Sequence, residues 1–154
     1  MLRILKPLEL KMLSKLNEYN VSFMLVGMTA AILQGAYTIT EDIDIWVKDL
    51  NSQDFIDAIK ESGGFYIPAG VAGMNPPMIG PGSLSSIDLV THLHGLGSFD
   101  EEIKNTLDYK LENITVKVLN IERIIKSKEA ANREKDRVVL PALKALIAAK
   151  KIND

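Results

Sequence analysis

Glu41-Asp42-Ile43-Asp44-Ile45-Trp46-Val47 is the stretch on which the reading of this chain turns. Two aspartates stand two positions apart in a run of strand-forming residues. Residues i and i+2 of a strand point to the same face, roughly 6.5–7 Å apart at Cα. A strand over 42–47 therefore sets Asp42, Asp44 and Trp46 on one face and Ile43, Ile45 and Val47 on the other. Two carboxylates at that spacing can converge on one cation or a pair, and metal-bound phosphates are the usual cargo of such an arrangement. The same alternation also describes a half-exposed strand. Both readings stand on these residues alone.

Working outward, Leu25-Val26-Gly27-Met28-Thr29 lies upstream and reads as a strand that breaks at a glycine and enters a helix over 29–33. A helix start with a nearby hydroxyl can cradle a phosphate; the plainer alternative is a tight turn at Gly27 with Thr29 as helix cap. Downstream, Ile87-Asp88-Leu89-Val90 forms a strand over 86–91 with a carboxylate in its middle. An unpaired carboxylate is costly to bury. If this strand lies beside that of Asp42 and Asp44, three carboxylates face one site. Three hard oxygen donors suit Mg²⁺ or Mn²⁺, which takes its remaining positions from water and substrate phosphates. Two such ions clamp a triphosphate and activate an attacking hydroxyl, and Asp88 then both ligates and helps to deprotonate the acceptor.

The remainder of the chain supplies a scaffold. Apolar spacing predicts a helix over 8–16 with a stop at Asn20, a buried strand over 21–26, and a helix after Asn51-Ser52-Gln53-Asp54 carrying Phe55, Ile56 and Ile59, closed by Gly63-Gly64. Residues 65–82 hold four glycines and four prolines among them, turn chemistry that reads as a long loop. A fourth strand is predicted over 113–119, then helices over 121–131 and 135–150, with Pro141 kinking or breaking the second. The pattern is α/β (α+β): a mixed sheet flanked by helices, with C-terminal helices, and 1–154 as a single domain.

Composition narrows the classes. A hydrophobic share of 47% with 25% charged residues is globular, not disordered. The net charge of −2 gives no overall drive toward nucleic acid or anionic lipid. With no cysteine, zinc–thiolate sites and cysteine nucleophiles are excluded. The N-terminus lacks the pattern of a signal peptide, and no apolar run approaches the ~20 residues of a membrane span. A cytoplasmic protein without a membrane partner is the expectation.

Taken together, Val26-Gly27-Met28, Asp42-Ile43-Asp44 and Asp88 resemble the nucleotidyltransferase superfamily, whose fold is that of DNA polymerase β. The chain is more specifically similar to small stand-alone prokaryotic members of that superfamily, through Asp88-Leu89-Val90-Thr91, the stretch from Gly95 to Phe99, and Arg133-Glu134-Lys135-Asp136. The resemblance runs over about 23–143. It implies a metal-dependent transfer of a nucleoside monophosphate from an NTP, ATP above all, to a hydroxyl acceptor on a small molecule, protein or RNA. Asp42, Asp44 and Asp88 are then the catalytic metal ligands, and Gly27, Met28, Thr29, Lys128, Arg133 and Lys135 bind the nucleotide. A non-catalytic member that binds a nucleotide or a protein partner, as a homodimer or in a toxin–antitoxin pair, is the alternative. The chain departs from the family pattern in three places: Met28 follows Gly27, no basic residue stands in Tyr37-Thr38-Ile39-Thr40, and Ser85-Ser86 replaces an arginine ahead of Asp88.

Other candidates have simpler explanations. Lys128, Arg133 and Lys135 also describe a solvated helix face paired with Glu129, Glu134 and Asp136. His92 and His94 share parity with Asp88, but the strand is expected to end before Gly95-Leu96-Gly97, leaving a loop-edge pair with no metal role. Trp46 either stacks on a base or packs at a strand end.

Overall fold

A computed structural model describes residues 5–70, 77–84 and 86–153 of the chain. It opens with α1 (Pro7–Glu18), which buries Met12, Leu13 and Leu16, the i, i+1, i+4 face of its apolar stripe. Asn20 takes a left-handed φ of 55° and turns the chain into β1 (Phe23–Val26). All four residues of β1 are buried, so both faces of this strand are covered. The helix α2 (Gly27–Leu33) follows directly and starts two residues earlier than the sequence suggests.

After an irregular segment come β2 (Ile43–Val47) and α3 (Gln53–Glu61). The Ser52 hydroxyl accepts the Phe55 N–H and so caps α3, the role its sequence position predicts. Two short strands, β3 (Phe65–Ile67) and β4 (Met78–Gly80), pair antiparallel within the stretch read as a loop. Residues 71–76 of that stretch, and Ser85, lie outside the described residues. Next are β5 (Ile87–Val90), the short α4 (Phe99–Glu102), β6 (Thr106–Leu111), β7 (Ile114–Leu119), α5 (Ile121–Ala131) and α6 (Glu134–Asn153).

Five strands form a mixed sheet in the order β5-β2-β1-β7-β6. β1 runs antiparallel to β2 and parallel to β7, while β2 and β5 are parallel. This is the mixed sheet with flanking and C-terminal helices that the sequence predicts. The sequence reading misses β6, whose Asp108 and Lys110 break up its apolar residues. It is an edge strand, paired with β7 through the turn at Glu112, where φ is 53°, and an edge strand needs only one apolar face.

Of the kink or break expected at Pro141, the break is not present: α6 is continuous from Glu134 to Asn153. Pro141 is exposed, so the backbone group it leaves unpaired meets water, while its neighbours Leu140 and Leu143 are buried and hold the helix in place. No helix among the described residues is long and apolar enough to cross a membrane.

Candidate active site at the β1–α2 turn

The register of the sheet brings the aspartates together. Asp44 is the Cα partner of Val26 on one side and of Asp88 on the other. Two chain segments far apart in sequence thus set two carboxylates side by side where β1 gives way to α2. The carboxyls lie within hydrogen-bonding reach of each other. Asp44 is half-buried and Asp88 exposed. Burial, then the Asp88 carboxylate and its hydrogen bond, then Asp42, push the Asp44 carboxyl up to about 6, and Lys128 opposes them. Asp88 is raised as well, by burial and Asp42, against the hydrogen bond with Asp44 and the charge of Lys135.

Asp42 occupies a different position from the one alternation predicts. It precedes β2 and is exposed, although its charge is felt at both other carboxylates. Its backbone carbonyl accepts the hydroxyls of Thr29 (3.0 Å) and Thr40 (3.1 Å). The arrangement is a close pair with a third acid at its rim. Among the described residues, no three His, Asp or Glu side chains stand together as a metal-holding group by themselves.

Gly27 is needed for this packing. Its φ is +64°, and a Cβ placed on it would overlap Asp44 Oδ2. The hydroxyl of Thr29, expected to face a phosphate, is instead fully buried and committed to the Asp42 carbonyl. It ties α2 to the turn before β2. Met28 is half-buried and packs against the core. With α2 beginning at Gly27, Thr29 falls on its buried face.

The cations do converge here. A small cleft of about 90 Å³ is lined by Gly27, Asp44, Ser127, Lys128 and Arg133 over an apolar floor that includes Val26 and Leu119. Lys128 is part-buried; Lys135 is exposed, and its charge acts on Asp88. The sequence offers Asp136 as an ion-pair partner of these cations on a solvated helix face; the pairing is present, but buried. Asp136 is fully buried and bonded to both Lys128 and Arg133. A signal for this was available: an acid at the third position after an expected helix boundary, where a carboxylate caps the first turn.

The remaining candidates resolve into structure. Trp46 is buried and meets Phe99 edge-on at 5.8 Å, so it packs rather than stacks on a base. His92 and His94 lie beyond β5, exposed and edge-to-face with each other at 5.5 Å. Ser86 donates to the buried Glu9 at 2.6 Å and fastens α1 to the start of β5.

Among curated proteins, none matches the chain by sequence. Solved structures do share its fold. The crystal structure of ANT(2″)-Ia in complex with adenylyl-2″-tobramycin superposes with a TM-score of 0.60 at 13% identity, over 93% of this chain and 89% of that one. The solution structure of the antibiotic-resistance factor ANT(2″)-Ia gives 0.53 at 14% identity, over 95% and 94%. The model of a protein family described as nucleotidyl transferase of unknown function (DUF2204) matches residues 8–153, and the chain belongs to that nucleotidyl transferase family.

Proposed function

We propose that the protein transfers a nucleoside monophosphate from an NTP, ATP first among them, to a hydroxyl acceptor, with help from Mg²⁺ or Mn²⁺. The observation that carries this is the pairing of Asp44 with Asp88, beside a cleft that Asp44 shares with the cations Lys128 and Arg133. A carboxyl pushed up to about 6 by burial and by neighbouring carboxylates is a site short of positive charge. Hard oxygen donors of this kind suit a divalent ion. Asp44 and Asp88 would hold it, with Asp42 at the rim and substrate phosphates supplying further oxygens. Such an ion, when bound, offsets the charge of the phosphates and lowers the pKa of a bound hydroxyl.

The chain's own residues do the rest. Lys128 and Arg133 face the triphosphate, and Lys135 adds positive charge on the Asp88 side. Gly27 has no side chain to keep the phosphates from the backbone. The acceptor oxygen bonds to the α-phosphorus as the bond to the bridging oxygen breaks; pyrophosphate leaves with that electron pair. Asp88, the more exposed of the pair, takes the acceptor's proton. ANT(2″)-Ia, crystallised with an adenylylated antibiotic, lends support for a hydroxyl-bearing small molecule as acceptor. Exposed Tyr37 and Ile39, just ahead of Asp42, would meet the acceptor's apolar surface.

Calorimetric titration of Mg·ATP into the wild type and Asp44→Ala tests the reading. Binding by the wild type that is lost in the variant is expected. Equal binding, or none by either, overturns it. Radiolabelled NTP incubated with candidate acceptors then separates transfer from binding alone.

A further inference from the structure

The α5–α6 junction is built around one carboxylate. Asn132 ends α5 with a left-handed φ of 48°, and Arg133 opens the turn into α6. Asp136, in the first turn of α6, is completely buried. Its Oδ2 accepts the Arg133 backbone N–H (3.1 Å) and Nε (2.7 Å); its Oδ1 accepts Arg133 Nη2 (3.2 Å) and Lys128 Nζ (3.3 Å). Both oxygens are therefore satisfied by cations carried on two different elements. Those two cations also line the cleft beside Asp44.

Stability alone is a weak reason to bury such a cluster, because apolar side chains of similar volume commonly do as well. Orientation is a better one. Lys and Arg side chains have many rotamers, and fixing them on a ligand costs entropy unless they are already held. A carboxylate behind both cations holds them before the ligand arrives and keeps them apart from the acids in front. We propose that Asp136 is a positioning residue that aims Lys128 and Arg133 as a two-cation clamp for the phosphates of the nucleotide. This inference rests on the nucleotide-binding reading above and adds to it the residue that sets the clamp.

Asp136→Asn is the informative variant, because an asparagine oxygen can still accept the Arg133 N–H while the charge is lost. Its affinity for Mg·ATP is measured by calorimetry beside the wild type and Glu102→Gln. The latter loosens a buried ion pair outside the cleft, so it reports what loss of stability alone does to binding. Expected is a loss of about tenfold for Asp136→Asn, the scale of a hydrogen bond to a charged group, and an unchanged affinity for Glu102→Gln. Affinity within twofold of wild type for Asp136→Asn, or equal losses in both variants, overturns the clamp and leaves the nucleotide reading intact. A wild type that binds no Mg·ATP overturns both. If Asp136→Asn does not fold, Asp136→Glu, which displaces the charge by one methylene, is measured against the same control with the same outcomes.

Discussion

Gly27 lies flush against the carboxylate of Asp44, so close that a methyl group on it would overlap Oδ2. The same glycine holds a φ of +64° as the chain leaves β1. Two independent demands, backbone conformation and side-chain space, fall on one position. Gly27→Ala is expected to strain the backbone by about 1–2 kcal/mol and to displace Asp44. Nucleotide transfer then falls on the order of a hundredfold, as a misplaced reacting group would cause. Thermal melts and labelled-NTP assays on the same preparation check both parts.

Charge at the pair has a signed pH consequence. The Asp44 carboxyl, ordinarily at 3.8, is pushed up to about 6. The folded state therefore holds this proton more tightly than the unfolded chain, and the stability contributed by Asp44 falls as pH rises from 3.8 to about 6. Asp136 behaves in the opposite sense. Burial works to raise it, but hydrogen bonds from Arg133 and Lys128 hold it down to about 2, so its contribution is present above 3.8 and lost as pH falls toward 2. Without divalent cations, Asp44→Asn should melt above the wild type at about pH 7 and show no gain at about pH 4. Circular dichroism melts in a chelator give the comparison.

Asp88 is the exposed member of the pair and faces the acceptor side in the proposed reaction. Asp88→Asn keeps the shape and removes the proton acceptor. Transfer should drop roughly a hundredfold or more, the usual range for loss of a general base. An unchanged rate would remove Asp88 from the chemistry.

Glu102 and Arg123 form a second buried ion pair, outside the cleft. Glu102 is 2% exposed at its side chain and receives Arg123 Nε at 2.8 Å and Nη2 at 2.7 Å, together with the Gly97 N–H at 2.8 Å. Glu102→Ala leaves a half-buried guanidinium without its partner and should lower unfolding free energy by about 3 kcal/mol. Urea unfolding measures this. Mg·ATP affinity of the folded fraction is expected to stay unchanged.

The helices α3 and α5 and the strands β1, β2, β5 and β7 were legible because each repeats an apolar pattern within itself: Phe55 and Ile59 along α3, Ile43 and Ile45 along β2. The β3–β4 pair was not legible, since three-residue strands amid glycine and proline leave no period to read. β6 was lost for a related reason: an edge strand with one face in water tolerates Asp108 and Lys110.

For the site, the chain alone singled out the candidates: the acids Asp42, Asp44 and Asp88, the turn at Gly27, and the basic cluster ending in Asp136. Their alternation, spacing and resemblance are local properties of the chain, and local patterns survive in one dimension. Tertiary structure decided which of them meet. Strand register set Asp44 beside Asp88 and left Asp42 at the rim. The early start of α2 turned Thr29 inward onto the Asp42 carbonyl. The fold of α5 against α6 placed Lys128 and Arg133 on a single buried carboxylate. Such pairings depend on hydrogen bonds and packing between segments distant in sequence, and no pattern within one segment encodes which neighbour it will face.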